Sequence, residues 1–302
     1  MLFNVCALYI KIMNNENQTI HKSDDNLTIY GWNEKLNQLK QESIYSTLAH
    51  GRVSIVHRTC YEVISGNGLF QCELTGNMMY GKSDDELPCT GDWVIFQPFD
   101  EHKGIIVDRL PRERTLYRKK SGTVADKQAI ASYVDKAFIV QSLDDNFNVR
   151  RVERFMVQIM EENISSVLVL NKADLDFDRQ SVEEQIKHIS SQIPVFFTSI
   201  HQLETIVRLR KSISEGETVV FVGSSGVGKS SLVNALCEKP VLLTSDISLS
   251  TGKGRHTSTR REMVLMDSSG VLIDTPGVRE FGLAIDNPDS LAEVLEISDY
   301  AE

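Results

Sequence analysis

Two textures of apolar spacing divide the chain. From about residue 47 to residue 114, short runs alternate apolar and polar positions: GRVSIVHR, YEVIS, LFQCEL, DWVIFQP and GIIVDRL, with turn signals SGNG, TGN and TGD between them. Five or so such runs in under seventy residues predict a small antiparallel barrel. Alternation of this kind does not separate an OB-type barrel from an SH3-like one. From residue 131 the apolar runs become continuous and alternate with helical spacing. KAFIVQS (136–142), SSVLVL (165–170), PVFFTS (194–199), the run ending VVFVG at 223, REMVLMD and GVLID (both within 261–277) read as buried strands. Residues 148–163, with apolar positions Val152, Phe155, Ile159 and Met160, and residues 181–192, with Ser181 as cap, read as helices. Such alternation predicts a mostly parallel sheet covered on both faces, with its ligand beyond the carboxyl ends of the strands. Before residue 46 the chain is an apolar start followed by a stretch rich in Asn, Lys, Glu and Asp, which reads as a frayed tail with at most a short helix.

The strand ends carry the chemistry. Residues 219–232, VVFVGSSGVGKSSL, place G-x-x-x-x-G-K-S between a strand and a helix-forming run. In that context Gly223, Ser224, Ser225, Gly226, Val227, Gly228, Lys229, Ser230 and Ser231 form a Walker A phosphate loop. Its glycines let backbone N–H groups turn toward a phosphate, and the helix adds its own N–H groups and dipole. Lys229 is expected on the outer phosphates and the Ser230 hydroxyl on Mg²⁺. The strand ending at Leu170 delivers Asn171, Lys172, Ala173 and Asp174. A carboxylate there accepts from both N1–H and the exocyclic amine of guanine, a donor pair that adenine lacks, so Asp174 selects guanine. Asn171 braces the loop and the Lys172 stem lies along the ring. Thr-Ser-Ile at 198–200 offers a backbone N–H of Ser199 or Ile200 to the guanine O6. Asp274, opening D-T-P-G, is placed to hold Mg²⁺ through water, and the Gly277 N–H to meet the γ-phosphate. The polar, basic segment 249–262 is the natural switch, with Thr257 or Thr259 as the second metal hydroxyl.

Composition narrows the surroundings. The chain has 302 residues and a net charge of -10, so any attraction to nucleic acid must be local. The one basic run at 109–120 offers Arg109, Arg112, Arg114, Arg118, Lys119 and Lys120 around Tyr117 as candidate RNA-phosphate contacts. The five cysteines are scattered without a CxxC, which fits a reducing compartment. No apolar run is long enough to span a bilayer, and the apolar start lacks the charge and cleavage features of a signal peptide.

GRV, TGDWV, LPRERTLYRK, NKADL, GSSGVGKSSL, TGKGRHTSTR and DTPGVREFGL, in that order, resemble the circularly permuted GTPases of the RsgA (YjeQ, EngC) type, from about residue 51 to the end. NKAD precedes the Walker loop here, the reverse of the usual GTPase order. The resemblance implies an OB-type β-barrel followed by an α/β P-loop GTPase domain. It divides the chain into a tail at 1–45, a barrel at 46–115, a permuted GTPase domain at 116–287 and the start of a C-terminal region at 288–302. It implies a cytoplasmic, monomeric enzyme that binds GTP and GDP with Mg²⁺ and hydrolyses GTP slowly. It further implies action on the 30S subunit and its 16S rRNA in late maturation, with hydrolysis stimulated by the subunit. Val278 stands where many GTPases have a water-orienting glutamine, and the resemblance makes His256 the candidate replacement. It also implies a C-terminal zinc domain, but no cysteine lies beyond Cys237, so zinc has no ligand cluster in this chain. Two other readings are a nucleotide-gated RNA-binding module with incidental hydrolysis, and an ATP-dependent phosphotransferase, against which NKAD argues.

Overall fold

The computed structural model describes residues 25–81, 83, 85–119, 127–144, 147–238, 241, 262–267 and 270–274. Elements are numbered in chain order among these residues. The alternating region folds as β1 (Ala49–Val56), β2 (Tyr61–Ser65), β3 (Gly68–Leu74), the short helix α3 (Gly76–Gly81), β4 (Trp93–Asp100) and β5 (Lys103–Arg109). Their order is β1-β2-β3-β5-β4, and β4 returns to pair with β1, so the sheet closes. Every pairing is antiparallel except β3 with β5. This five-stranded closure is consistent with an OB-type barrel. Its interior is lined by every second residue: Val53, Val63, Phe70, Cys72, Val94, Phe96 and Ile106 are all buried.

The residues ahead of the barrel depart from the expected tail. Residues 25–45 include α1 (Asp25–Thr28) and α2 (Glu34–Glu42), the latter capped by the Asn33 side chain accepting from the Leu36 N–H. Leu27, Trp32 and Leu36 are buried against Trp93, Ile95, Leu110 and Tyr133. Averaging over a polar stretch hid three well-spaced apolar side chains, and these are enough to dock it. Residues 1–24 lie outside the described residues.

A second region begins with the hairpin β6 (Leu116–Lys119) and β7 (Lys127–Ala131). It continues through β8 (Lys136–Ser142), α4 (Val149–Glu161), β9 (Ser165–Asn171), α5 (Arg179–Gln185), α6 (Lys187–Ser190), β10 (Val195–Thr198), α7 (Leu203–Arg210), β11 (Thr218–Val222), α8 (Lys229–Leu236), β12 (Glu262–Leu265) and β13 (Val271–Asp274). The strand order is β10-β9-β8-β11-β13-β12, parallel through β13 and antiparallel at β12. Strands buried on both faces explain the unbroken apolar runs. Along β8, Ala137 and Ile139 face the core under α4 to α6, while Phe138 and Val140 face the core under α7 and α8. A bridge from Ile55 of β1 to Glu262 of β12 joins barrel and parallel strands into one eleven-stranded sheet.

Two local expectations are corrected. The helix expected at 181–192 is split into α5 and α6, and its cap is Asp178, whose carboxylate accepts from the Ser181 N–H at 3.0 Å. On α4, Met156 is buried, whereas Met160 is 41% exposed. Among the described residues, no helix is long and apolar enough to cross a membrane.

Candidate functional site

Because β8, β9, β10, β11 and β13 run parallel, their carboxyl ends gather at one edge of the sheet. That edge receives the Walker loop from β11, the NKAD loop from β9, Thr198 from β10 and Asp274 from β13.

The phosphate loop is shaped by two glycines that nothing larger could replace. Gly223 has φ +147°, and a Cβ on it would sit 2.3 Å from the Val140 carbonyl oxygen. Gly228, the left-handed residue before α8, has φ +92°, and its Cβ would fall 2.4 Å from Asn171 Nδ2. The chain therefore turns tightly around a space that backbone N–H groups can line. Lys229 Nζ donates to the carbonyls of Gly223 and Ser224, each at 2.8 Å. An ammonium has three N–H bonds, so one is left for a phosphate oxygen. Burial pushes the Lys229 pKa down, and the nearby Asp274 charge opposes that shift. The Ser230 hydroxyl lies 3.4 Å from Asp274 Oδ2, and Asp274 is 1% exposed.

The base loop is tied directly to this one. Asn171 Nδ2 donates to the Val227 carbonyl at 2.8 Å, and Asn171 Oδ1 accepts from the Thr198 hydroxyl at 3.3 Å. The Ala173 N–H donates to the Thr198 carbonyl at 2.9 Å. One buried amide thus joins three motif loops that are far apart in sequence. Lys172 adopts φ +62° and its Nζ pairs with Asp144 Oδ2 at 2.8 Å. Asp174 is exposed at the rim. Its carboxyl is held below the usual range, first by a hydrogen bond from the Ser199 side chain and further by the charges of His201 and Lys172. It is therefore ionised and acceptor-only at neutral pH, as guanine recognition requires. The Ser199 N–H is taken by Thr205 Oγ1 at 3.0 Å, which leaves the Ile200 N–H as the candidate donor to O6.

The basic run turns out differently from the expectation. Arg112 pairs with Asp92 at 2.6 Å, with the two side chains 8% and 0% exposed, and also donates to the Leu87 carbonyl at 2.6 Å. It is an internal strut and not an RNA contact, because its charge is spent on a carboxylate that itself receives the Cys89 N–H and the Ser132 hydroxyl. Arg114 pairs with Asp135 at 2.9 Å, Arg118 donates to Gln128 Oε1 at 2.7 Å, and Arg109 donates to the Leu110 carbonyl at 3.0 Å. Lys120, the side chain of Lys119, His256, Thr257, Thr259, Gly277, Val278 and the region 288–302 lie outside the described residues. Asp144 and Arg151 were not singled out by sequence; both lie in or just beyond the β8–α4 connection, where no motif marks them.

The family model for RsgA GTPase matches residues 109–284. The chain belongs to the RsgA GTPase family. The RsgA relative from Bacteroides thetaiotaomicron, named small ribosomal subunit biogenesis GTPase RsgA 1, is 73% identical over 290 residues, covering 96% of this chain and 80% of its own. The relative from Methanosarcina acetivorans, named small ribosomal subunit biogenesis GTPase RsgA, is 36% identical over 300 residues, covering 96% and 79%. Among solved structures, YjeQ from Thermotoga maritima superposes with a TM-score of 0.61 at 24% identity, covering 80% of each chain. YloQ, described as a circularly permuted GTPase, superposes with a TM-score of 0.58 at 19% identity, covering 84% of this chain and 80% of its own. At these identities the two structures speak for the shared fold alone.

Proposed function

We propose that the protein binds GTP at the shared edge of the parallel strands, hydrolyses it to GDP and phosphate, and does so in the maturation of the small ribosomal subunit. The observation that carries the nucleotide half is the 2.8 Å bond from Asn171 Nδ2 to the Val227 carbonyl. It fixes the base-reading loop to the phosphate loop, so one ligand can touch both. The ribosomal half is drawn from the relatives' names and from family membership.

In this reading Asp174 accepts from the guanine edge, and the N–H groups of 224–231 cradle the phosphates. Lys229, already held by two carbonyls, donates its remaining N–H to the outer phosphates without having to be reoriented. Hard oxygen donors suit Mg²⁺, which takes a hydroxyl, one carboxylate through water and phosphate oxygens, so Ser230 and Asp274 fit it. Bound there, Mg²⁺ would neutralise charge developing on the phosphate oxygens. Water attacks the γ-phosphorus, the bond to the β–γ bridging oxygen breaks, and GDP leaves with the electron pair. Valine at 278 cannot orient that water, which motivates both slow intrinsic turnover and a role for His256. We assign Thr257 or Thr259 to the metal, Gly277 to the γ-phosphate, and 16S rRNA in the cytoplasm as the partner of a monomer.

Radiolabelled GTP turnover, measured with and without 30S subunits, tests the proposal. Stimulation of about a hundredfold or more by 30S but not by 50S particles is expected, the increment of a single well-placed group. Turnover indifferent to every ribosomal particle would contradict the ribosomal half.

A further inference from the structure

Described residues on either side of the β8–α4 connection touch the two motif loops from outside. At its start, Asp144 Oδ2 receives Lys172 Nζ at 2.8 Å, and Asp144 Oδ1 accepts from the Ser142 hydroxyl at 2.7 Å. At its end, in the first turn of α4, Arg151 Nη1 donates to Ser224 Oγ at 2.9 Å. Neither residue belongs to the NKAD or Walker sequences, and neither is among the groups expected to touch nucleotide.

The geometry points to Asp144 and Arg151 as a pair of positioning residues that hold the base loop and the phosphate loop in their binding conformations before nucleotide arrives. The proposal rests on the guanine-nucleotide reading of the site. Ser224 is the residue whose carbonyl, with that of Gly223, holds Lys229 Nζ. It lies in a glycine-rich loop whose backbone has intrinsic freedom, so a tether on its side chain restrains the part of the loop that aims the lysine. The tether is anchored firmly. The Arg151 N–H bonds Asn148 Oδ1 at 3.1 Å in the helix cap, and the next residue, Val152, is fully buried. On the other side, Lys172 occupies a left-handed backbone conformation that non-glycine residues seldom adopt, and the ion pair with Asp144 helps hold it there. Restraining both loops in advance lowers the ordering cost that binding must meet.

The test is a double-mutant cycle on Arg151 and Ser224, read by titrating fluorescent GDP and GTP analogues into the full chain. Arg151→Ala and Ser224→Ala should each weaken both nucleotides by roughly tenfold, the size expected for one charge-assisted hydrogen bond. The double variant should be no weaker than either single one, because both remove the same contact. Arg151→Lys, which keeps a donor, should recover part of the loss. Asp144→Ala should weaken both nucleotides by a similar factor. In Arg151→Ala and Asp144→Ala, turnover at saturating GTP and the melting midpoint of the nucleotide-free protein should stay close to wild type, which separates positioning from a general loss of folding. Additive losses in the cycle, or unchanged affinity in Arg151→Ala while wild type binds GDP, would overturn the proposal. Wild-type protein that binds neither GDP nor GTP would overturn the nucleotide reading instead.

Discussion

Arg112 shows how little a residue's charge says about its role until its partner is known. In the sequence it is one of six cations in a basic run; in the fold it is a strut against the fully buried Asp92. Removing one partner of such a pair leaves a buried charge, so Arg112→Ala should cost about 3–5 kcal/mol of stability, measured by urea unfolding. Arg112→Lys should rescue only part, since a point charge cannot reproduce the two-nitrogen grip on Asp92. An unfolding midpoint unchanged in Arg112→Ala would mean that the pair does not hold the barrel. The side chains of the Walker and NKAD loops were far more legible as residues that would meet at one edge of the sheet. Lys229, Ser230, Asn171 and Asp174 announced themselves because glycine geometry and a preceding strand leave few other uses for them. Asp144 and Arg151 were not legible, because their effect passes through other residues and carries no pattern of its own.

At the scale of elements, period and continuity of apolar positions located the barrel strands and the parallel strands, since both reflect which faces are covered. The docked segment 25–45 escaped that reading. Its helices are short and its surface polar; Leu27, Trp32 and Leu36 are its buried apolar side chains, with Tyr30, Leu39 and Tyr45 half-buried beside them. The Trp32 and Trp93 rings meet edge-on with centroids 4.8 Å apart, and Arg52 donates to the Tyr30 carbonyl beside them. Trp32→Ala should therefore cost about 3–5 kcal/mol, as truncation of a buried aromatic does, seen as a lower thermal or urea midpoint. A midpoint equal to wild type would show the segment to be dispensable for stability. The same Arg52 is buried, and burial lowers its pKa to about 10 despite the opposing charge of Asp135. It donates to the Gly91 carbonyl at 3.0 Å and to Thr218 Oγ1 at 2.9 Å. One guanidinium thereby links the N-terminal segment, the barrel and the first residue of the Walker strand.

For the whole molecule, the order of motifs along the chain matters less than where the strands deliver them. NKAD comes before the Walker loop in sequence, yet parallel β9 and β11, separated by β8, bring both to the same edge. The two loops meet despite this order because strand ends deliver them, and these depend on sheet order. In the proposed reading, the carboxylate of Asp174 and the ammonium of Lys229 serve a single guanine nucleotide. The most direct measurement is competitive titration of GDP against XDP on wild type and Asp174→Asn, with Lys229→Ala as the phosphate-loop control. Wild type should prefer GDP and Asp174→Asn should prefer XDP, a reversal of roughly a hundredfold or more for two exchanged hydrogen bonds, while Lys229→Ala weakens both alike. An Asp174→Asn protein that keeps the wild-type order of GDP over XDP would contradict the account.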